Sequence, residues 1–200
     1  VQAGMHDRFI SELVERAEAI RIGDPLDDDS QMGPLATRAQ RDRIEAVVAE
    51  SIAQGAVLHT GGARPEGLDA GWYYRPTVLG CANQDVACTR IELFGPVMSV
   101  LSFETEADGV AMANDTEFGL AAGIFSSDAS RVHRVARSVR AGIVWVNTYR
   151  AISPVAPFGG FGNSGSGREA GVDAIGEFTR TKTVWINTSE QPMANPFTIR

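Results

Sequence analysis

Residues 98–147 decide the fold class, and they read MSVLSFETEADGVAMANDTEFGLAAGIFSSDASRVHRVARSVRAGIVWVN. Apolar strands are predicted over 98–103, 120–125 and 143–147, and two helical segments separate them. Thr105 caps the first of these helices, and the second covers 128–140. Near-continuous apolar strands that alternate with helices are typical of parallel pairing with helical crossovers. The pattern therefore predicts an α/β fold.

Two further helices are expected upstream of this unit. Apolar residues recur at helical spacing over 7–22, and again over 37–55, where Thr37 and Gln40 have the spacing of a capping box. Short strands are predicted over 57–60 and 73–79, and Pro76 places the second at a sheet edge or in a connection. Downstream, the sequence predicts a helix over 169–178 and a terminal strand over 183–187.

Composition narrows the class of protein. Two hundred residues, 44% of them hydrophobic, suit one globular domain with at most a small appendage. A net charge of −7 argues against nucleic acid and anionic membranes as partners, and no apolar run approaches the length of a membrane span. The three histidines lack metal-ligand spacing, and two cysteines cannot form a disulfide framework. We expect a cytoplasmic protein without a signal peptide, a metal site or a membrane anchor.

A glycine-rich stretch, PFGGFGNSGSGREAG at 157–171, contains a G-x-G-x-x-G at Gly160, Gly162 and Gly165. A dinucleotide loop of this form must leave a strand directly and open a helix. Here two prolines, Pro154 and Pro157, precede the glycines, and the nearest predicted strand ends at 147. No acidic residue follows at the spacing that holds a ribose, so the motif does not predict a phosphate site.

The stretch IELFGPVMSV at 91–100 carries the strongest candidate for ligand binding. Gly95-Pro96 imposes a stiff extended turn that sets the directions of Glu92 and Phe94. A carboxylate can accept two hydrogen bonds from a vicinal diol, and an aromatic face can flank a flat ring. The pair could therefore grip a nucleotide from one side. A surface glutamate beside a core phenylalanine is the alternative, and spacing alone favours it.

Five runs of the sequence resemble the C-terminal part of the NAD(P)-dependent aldehyde dehydrogenase superfamily, and they come in the family's order. They are GDPLDDDSQMGPL, ELFGPV, ANDTEFGLAAGIFS, AGIVWVN and PFGGFGNSGSGREAG. The resemblance implies a parallel-sheet, three-layer catalytic domain over 1–165. It also implies a C-terminal helix and an oligomerisation strand within 166–200, with the dinucleotide-binding domain upstream of the position that matches Val1.

The resemblance also implies roles for six residues. Glu92 matches the carboxylate that binds the nicotinamide ribose, and Phe94 matches the aromatic residue beside the nicotinamide of NAD or NADP. Gln40 and Arg43 match positions where some members touch the cofactor ribose; otherwise they are a capping-box glutamine and an exposed helical arginine. Ile152 and Phe158 fall in the loop that lines the aldehyde entrance, although the family often has an aromatic residue where Ile152 stands. The glycine loop matches the connection out of the catalytic domain, where bare backbone can pass closely and adopt positive φ.

The family oxidises an aldehyde to a carboxylic acid through a cysteine thiohemiacetal and a thioester. The resemblance places that cysteine and the general base upstream of Val1, so this chain alone contains no catalytic residue and is expected to be inactive. Cys81 and Cys88 stand where the family has no nucleophile. A homodimer or homotetramer that uses the terminal strand is expected. The alternatives are an inert scaffold or oligomerisation module, and a family member that takes a semialdehyde or forms an acyl-CoA, for which Arg150 could meet a substrate carboxylate.

Overall fold

The structure is a computed structural model that describes residues 1–192, 195 and 197. The α-helices within this part are α1 (His6–Glu18), α2 (Arg38–Ala53), α3 (Ala87–Arg90), α4 (Glu106–Asn114), α5 (Ala129–Ser138) and α6 (Ile175–Phe178). The strands are β1 (Val57–Thr60), β2 (Thr77–Cys81), β3 (Val97–Leu101), β4 (Ala121–Ile124) and β5 (Ile143–Val146).

The first sheet has the order β1-β2-β3, with β1 antiparallel and β3 parallel to the central strand. The first residues of the chain run parallel to the other edge of β3. There Phe103 N donates to Val1 O at 3.0 Å, and Ala3 N donates to Phe103 O at 2.8 Å. Residues 1–3 thus lie along β3 as the end of a further strand would.

Helices cover both faces of this sheet. Alternate residues of a strand point to opposite faces, and Val78 packs with Val100 and Ile10 of α1, while Leu79 packs on the other face against α2 and α3. Every residue of β2 is buried. Residues 1–101 therefore form three layers, with the apolar cluster between the sheet and α2 as the largest part of the core.

The second sheet consists of β4 and β5, which pair in parallel through α5 as the sequence predicts. Thr105 and Asp108 form a capping box on α4, and Asp128 caps α5. The strand β3 does not continue this sheet, because β2 occupies one of its edges and residues 1–3 run along the other. The two parts are joined by Arg90, whose guanidinium binds the Asp115 carboxylate at 2.8 Å.

Burial differs sharply between the two halves of the chain. Among the described residues beyond Leu101, only Gly119 and Gly160 are buried, although β4 and β5 are apolar. Parallel sheets are normally covered on both faces. The second sheet therefore leaves apolar surface exposed.

The predicted C-terminal strand is not formed in the part of the chain that the structure describes. Residues 183–187 pair with no other strand, and Trp185 is 92% exposed. A β-strand forms only when it hydrogen-bonds to a neighbouring strand, and no strand in the described part of the chain pairs with this segment. The helix predicted over 169–178 is reduced to a 3₁₀ turn and α6, and the one predicted over 7–22 ends at Glu18. The end of the expected segment 166–200, at 193, 194, 196 and 198–200, lies outside the described residues.

Candidate cofactor and substrate site

The stretch 91–96, which we term the cofactor loop, connects α3 to β3 and holds its side chains in alternating directions. Leu93 is buried in the core, whereas Glu92 and Phe94 are exposed, Phe94 by 74%. The loop is tied to the sheet by Thr77 N, which donates to Pro96 O at 2.8 Å. The structure thus leaves Glu92 and Phe94, two of the four predicted cofactor residues, exposed on either side of a buried anchor.

Both exposed side chains are available to a ligand. Within the described residues the Glu92 carboxylate makes no hydrogen bond or ion pair, so both of its oxygens remain free to accept. Phe94 has a φ of 50°, a left-handed conformation that costs a non-glycine residue about 1–3 kcal/mol. Phe94 therefore keeps a backbone conformation that a phenylalanine disfavours, and such residues cluster at functional sites.

Gln40 lies beside this loop, but its contacts differ from those that the sequence predicts. Its backbone N donates to the Thr37 hydroxyl at 3.1 Å, which is half of the predicted capping box. Its side-chain amide does not complete the box: Nε2 donates to Leu93 O, and also to Phe94 O at 3.3 Å. Gln40 thus contacts the backbone of the cofactor loop.

Arg43 is exposed on the same helix and, among the described residues, makes no hydrogen bond or ion pair. The buried arginine is Arg41, which is 5% exposed and stacks on the Trp72 ring at 5.2 Å. This contact was not predicted from the sequence, although Arg41 stands three residues before the fully buried Ile44 and so lies on the same helical face.

The loop at 147–158 follows β5, and side chains hold its first turn. Asn147 exchanges hydrogen bonds with the backbone of Ser126, its Oδ1 accepting from N and its Nδ2 donating to O, both at 2.9 Å. The indole Nε1 of Trp145 donates to Ala151 O at 2.8 Å. Ile152 follows directly and is 66% exposed.

Phe158 lies at the other end of this loop and is half-buried. It exchanges backbone hydrogen bonds of 2.7 Å with Glu169, and it lines an open pocket of about 600 Å³ together with Leu120 and the glycine loop. Ile152 is not among the residues that line this pocket. The structure therefore places the two predicted substrate residues on one loop but not in one pocket.

The glycine loop packs as bare backbone. A Cβ at Gly142 would collide with Gly159 O, and Arg168 Nη1 donates to the carbonyls of Gly160 and Gly167 at 2.9 and 2.8 Å. Gly162–Ser164 form a 3₁₀ turn rather than the start of a helix. Positive φ occurs at Gly162, Gly165 and Gly171. These features agree with close backbone packing and not with a phosphate site.

The two cysteines lie together in the core, with 3.5 Å between their sulfur atoms. Burial, aided by the hydrogen bond to Cys88, raises the pKa of the Cys81 thiol to about 12. The thiolate is the nucleophilic form of cysteine, so Cys81 is inert at neutral pH.

Neither a metal centre nor a membrane span is found in the described part of the chain. No group of three His, Cys, Asp or Glu side chains there could hold a metal ion. Each helix that the structure describes is too short or too polar to cross a bilayer.

Comparison with known proteins gives consistent matches. The model of the aldehyde dehydrogenase family matches residues 1–184. The (Z)-2-((N-methylformamido)methylene)-5-hydroxybutyrolactone dehydrogenase of Acinetobacter baylyi is 49% identical over all of this chain and 41% of its own length. A betaine aldehyde dehydrogenase of Brucella anthropi is 46% identical over 93% of this chain and 39% of its own.

Solved structures of aldehyde dehydrogenases also match this chain. Betaine aldehyde dehydrogenase from Staphylococcus aureus in complex with NAD⁺ superposes with a TM-score of 0.92 and 35% identity, over 99% of this chain and 40% of that one. An aldehyde dehydrogenase from Mycobacterium tuberculosis complexed with NAD⁺ has a TM-score of 0.89 and 35% identity, over 96% and 40%. The chain thus spans about two fifths of the length of the proteins that it matches.

Proposed function

The chain belongs to the aldehyde dehydrogenase family, and on that premise we propose that it forms the C-terminal portion of an NAD(P)-dependent enzyme that oxidises an aldehyde to a carboxylic acid. In this proposal residues 1–165 belong to the catalytic domain, and 166–200 form a C-terminal extension. The observation that carries it is the cofactor loop, in which the exposed Glu92, with no hydrogen bond or ion pair to a described residue, and the exposed Phe94 flank the buried Leu93.

The cofactor loop fits a nicotinamide nucleotide. The free oxygens of Glu92 can accept both hydroxyl hydrogens of a ribose diol, and the exposed Phe94 ring offers a face to a flat base. When bound, NAD or NADP supplies the hydride acceptor. Glu92 holds the ribose, and Phe94 limits the position of the nicotinamide ring and excludes water from one side. Arg43 is exposed and free to reach the same nucleotide.

The nucleophilic cysteine and the general base of the family reaction are proposed to lie upstream of Val1. Cys81 and Cys88 are buried in the core, and the raised pKa of Cys81 keeps its thiol neutral. Residues 1–3 run parallel to β3, so a segment that preceded Val1 and kept this pairing would run back along β3 towards the cofactor loop. That course would bring an upstream thiolate near the cofactor, where it would add to the aldehyde carbonyl to form the thiohemiacetal. The thiohemiacetal would become the thioester when its hydride passes to a bound nicotinamide.

The aldehyde is proposed to enter along the loop at 147–158, where Ile152 and Phe158 offer apolar contacts. Arg150 favours a second candidate, a member that takes a semialdehyde. Its φ is 58°, and its guanidinium makes no hydrogen bond or ion pair with a described residue, so it is free to bind a substrate carboxylate. An inert scaffold remains the alternative from another class. We also propose that the protein is cytoplasmic, because Cys81 and Cys88 remain free thiols although their sulfur atoms are only 3.5 Å apart, which suits a reducing compartment.

We expect the 200-residue chain by itself to have no aldehyde oxidation activity, since the nucleophile and the general base are proposed to lie upstream of Val1. NADH and NADPH formation from a panel of aldehydes is measured for this chain and for the full-length protein. The full-length protein should be active and the chain should not. Activity of the chain that Cys88→Ser abolishes would contradict the assignment of the nucleophile, and an inactive full-length protein would favour the scaffold.

The full-length protein is expected to be a homodimer or homotetramer that uses the strand-forming segment at 181–187. Val184, Trp185 and Ile186 are 68%, 92% and 78% exposed, and an unpaired β-forming segment can add to the sheet of a second subunit. Deleting residues 181–200 should therefore lower the mass measured by light scattering. Deleting only 188–200 keeps the apolar run and serves as the control. A folded 181–200 deletion with full oligomeric mass would show that other surfaces join the subunits.

A further inference from the structure

Gln40 connects the first turn of α2 to the cofactor loop. Its Nε2 donates to the carbonyl oxygens of Leu93 and Phe94, 53 and 54 residues further along the chain. Those two residues follow Glu92 directly. The contact therefore acts on the backbone that aims the two proposed cofactor-binding side chains.

The cofactor loop needs such a support because its conformation is strained. Phe94 has a φ of 50°, in the left-handed region, which a phenylalanine adopts only when surrounding contacts hold it there. Leu93 anchors the loop in the core, and Gly95 lies so close to the buried Ile44 that a Cβ there would collide with it. Gln40 supplies the hydrogen bonds on the side of α2.

Gln40 is itself held in place. It is the third residue of α2, and its backbone N donates to the Thr37 hydroxyl that caps the helix. A primary amide has two N–H donors and one carbonyl acceptor, and the Gln40 nitrogen is directed at the two carbonyls of the loop.

We propose that Gln40 is a positioning residue, which aims Glu92 and Phe94 at the nicotinamide nucleotide by bracing the loop backbone. This inference rests on the proposed function. It adds a role to the one expected from the sequence, where Gln40 was predicted to touch the cofactor. It also predicts that the conformation of the loop depends on the donor character of the Gln40 side chain.

Two variants separate bracing from direct binding. Gln40→Leu removes the donor and keeps much of the volume. Gln40→Glu keeps the shape and can still accept hydrogen bonds from a ribose diol, but its carboxylate repels the carbonyl oxygens of Leu93 and Phe94. Both variants lose the hydrogen bonds from the side chain to the loop carbonyls. Gln40→Glu, however, keeps oxygen atoms that could accept a hydrogen bond from the ribose.

Gln54→Leu is the matched control. Gln54 stands at the other end of α2, and its Oε1 accepts from the backbone N of Ala87 at 2.7 Å, at the start of α3. The variant therefore removes a side-chain amide contact from the same helix without touching the cofactor loop. Its effect measures the purely structural cost of losing such a contact.

The experiment uses the full-length protein and two measurements. Hydrogen exchange without nucleotide should be faster over 91–96 in both Gln40 variants than in the wild type and in Gln54→Leu. Steady-state kinetics should show KM for NAD raised about tenfold in both Gln40 variants, the equivalent of one hydrogen bond, with Gln54→Leu close to the wild type. Unchanged exchange over 91–96, or wild-type kinetics in Gln40→Glu, would overturn the proposal. A wild-type protein that oxidises no aldehyde with NAD or NADP would refute the proposed function instead, while the exchange measurement would still decide whether Gln40 braces the loop.

Discussion

Glu92→Gln in the full-length protein is expected to slow aldehyde oxidation by about 10- to 100-fold, because hydrogen bonds to a charged group contribute about 1.5–3 kcal/mol. The amide keeps the shape of the carboxylate but can accept at only one of its two terminal atoms. The ribose diol is then held less firmly, and the nicotinamide ring is less well placed to receive hydride. Both the hydride-transfer rate and KM for the nucleotide are measured.

The control for this variant is Glu104→Gln. Glu104 is also exposed and has no hydrogen bond or ion pair with a described residue, but it lies beyond β3 and away from the cofactor loop. It should behave as the wild type. If Glu92→Gln leaves both the rate and KM for the nucleotide unchanged, the carboxylate does not hold the ribose.

Gly142→Ala is expected to lower the free energy of unfolding by about 1–3 kcal/mol or more, the usual cost of overpacking a close contact. The new methyl group would meet the carbonyl oxygen of Gly159 and the Cα of Gly160, and neither can turn away as a flexible side chain could. Relief requires a shift of the whole glycine loop, which Arg168 holds through its hydrogen bonds to Gly160 and Gly167. Urea denaturation of the full-length protein, or its thermal midpoint, measures the loss.

Gly176→Ala gives the comparison for this substitution. Gly176 lies in α6, and a Cβ there would have no heavy atom within 4 Å. Alanine is also the better helix former, so this variant should be neutral or slightly stabilising. Equal stability of the two alanine variants would mean that the glycine loop yields to the methyl group, and that close packing is not the reason for its glycines.

Features that depend on near neighbours along the chain were predictable from the sequence. The cap of α4 follows from Thr105 at its start, and the parallel pairing of β4 and β5 follows from apolar strands on either side of one helix. The stiff Gly95-Pro96 turn likewise indicated that Glu92 and Phe94 have fixed directions, and in the structure both are exposed while Leu93 between them is buried.

Features that depend on distant segments were decided by the tertiary structure. The partner of β3 is β2 and not β4, because the buried β2 supplies an apolar edge that the strand pattern alone does not identify. Residues 183–187 have the composition of a strand but no pairing partner, so they form none.

The sequence by itself determined the α/β class and the Thr105 cap, which rest on residue type and short spacing, and its longer runs determined the family. The roles of Glu92 and Phe94 are proposals that rest on that resemblance. Only the tertiary structure decided that the Gln40 amide binds carbonyls 53 and 54 residues away, and that Arg41 rather than Arg43 is buried. It also decided that Gly142 packs against the backbone of Gly159 and Gly160. The reason is physical: a helical side chain has several possible hydrogen-bond partners, some on its own helix and some on segments that are distant in sequence. The packing of the whole chain decides which of these partners it binds.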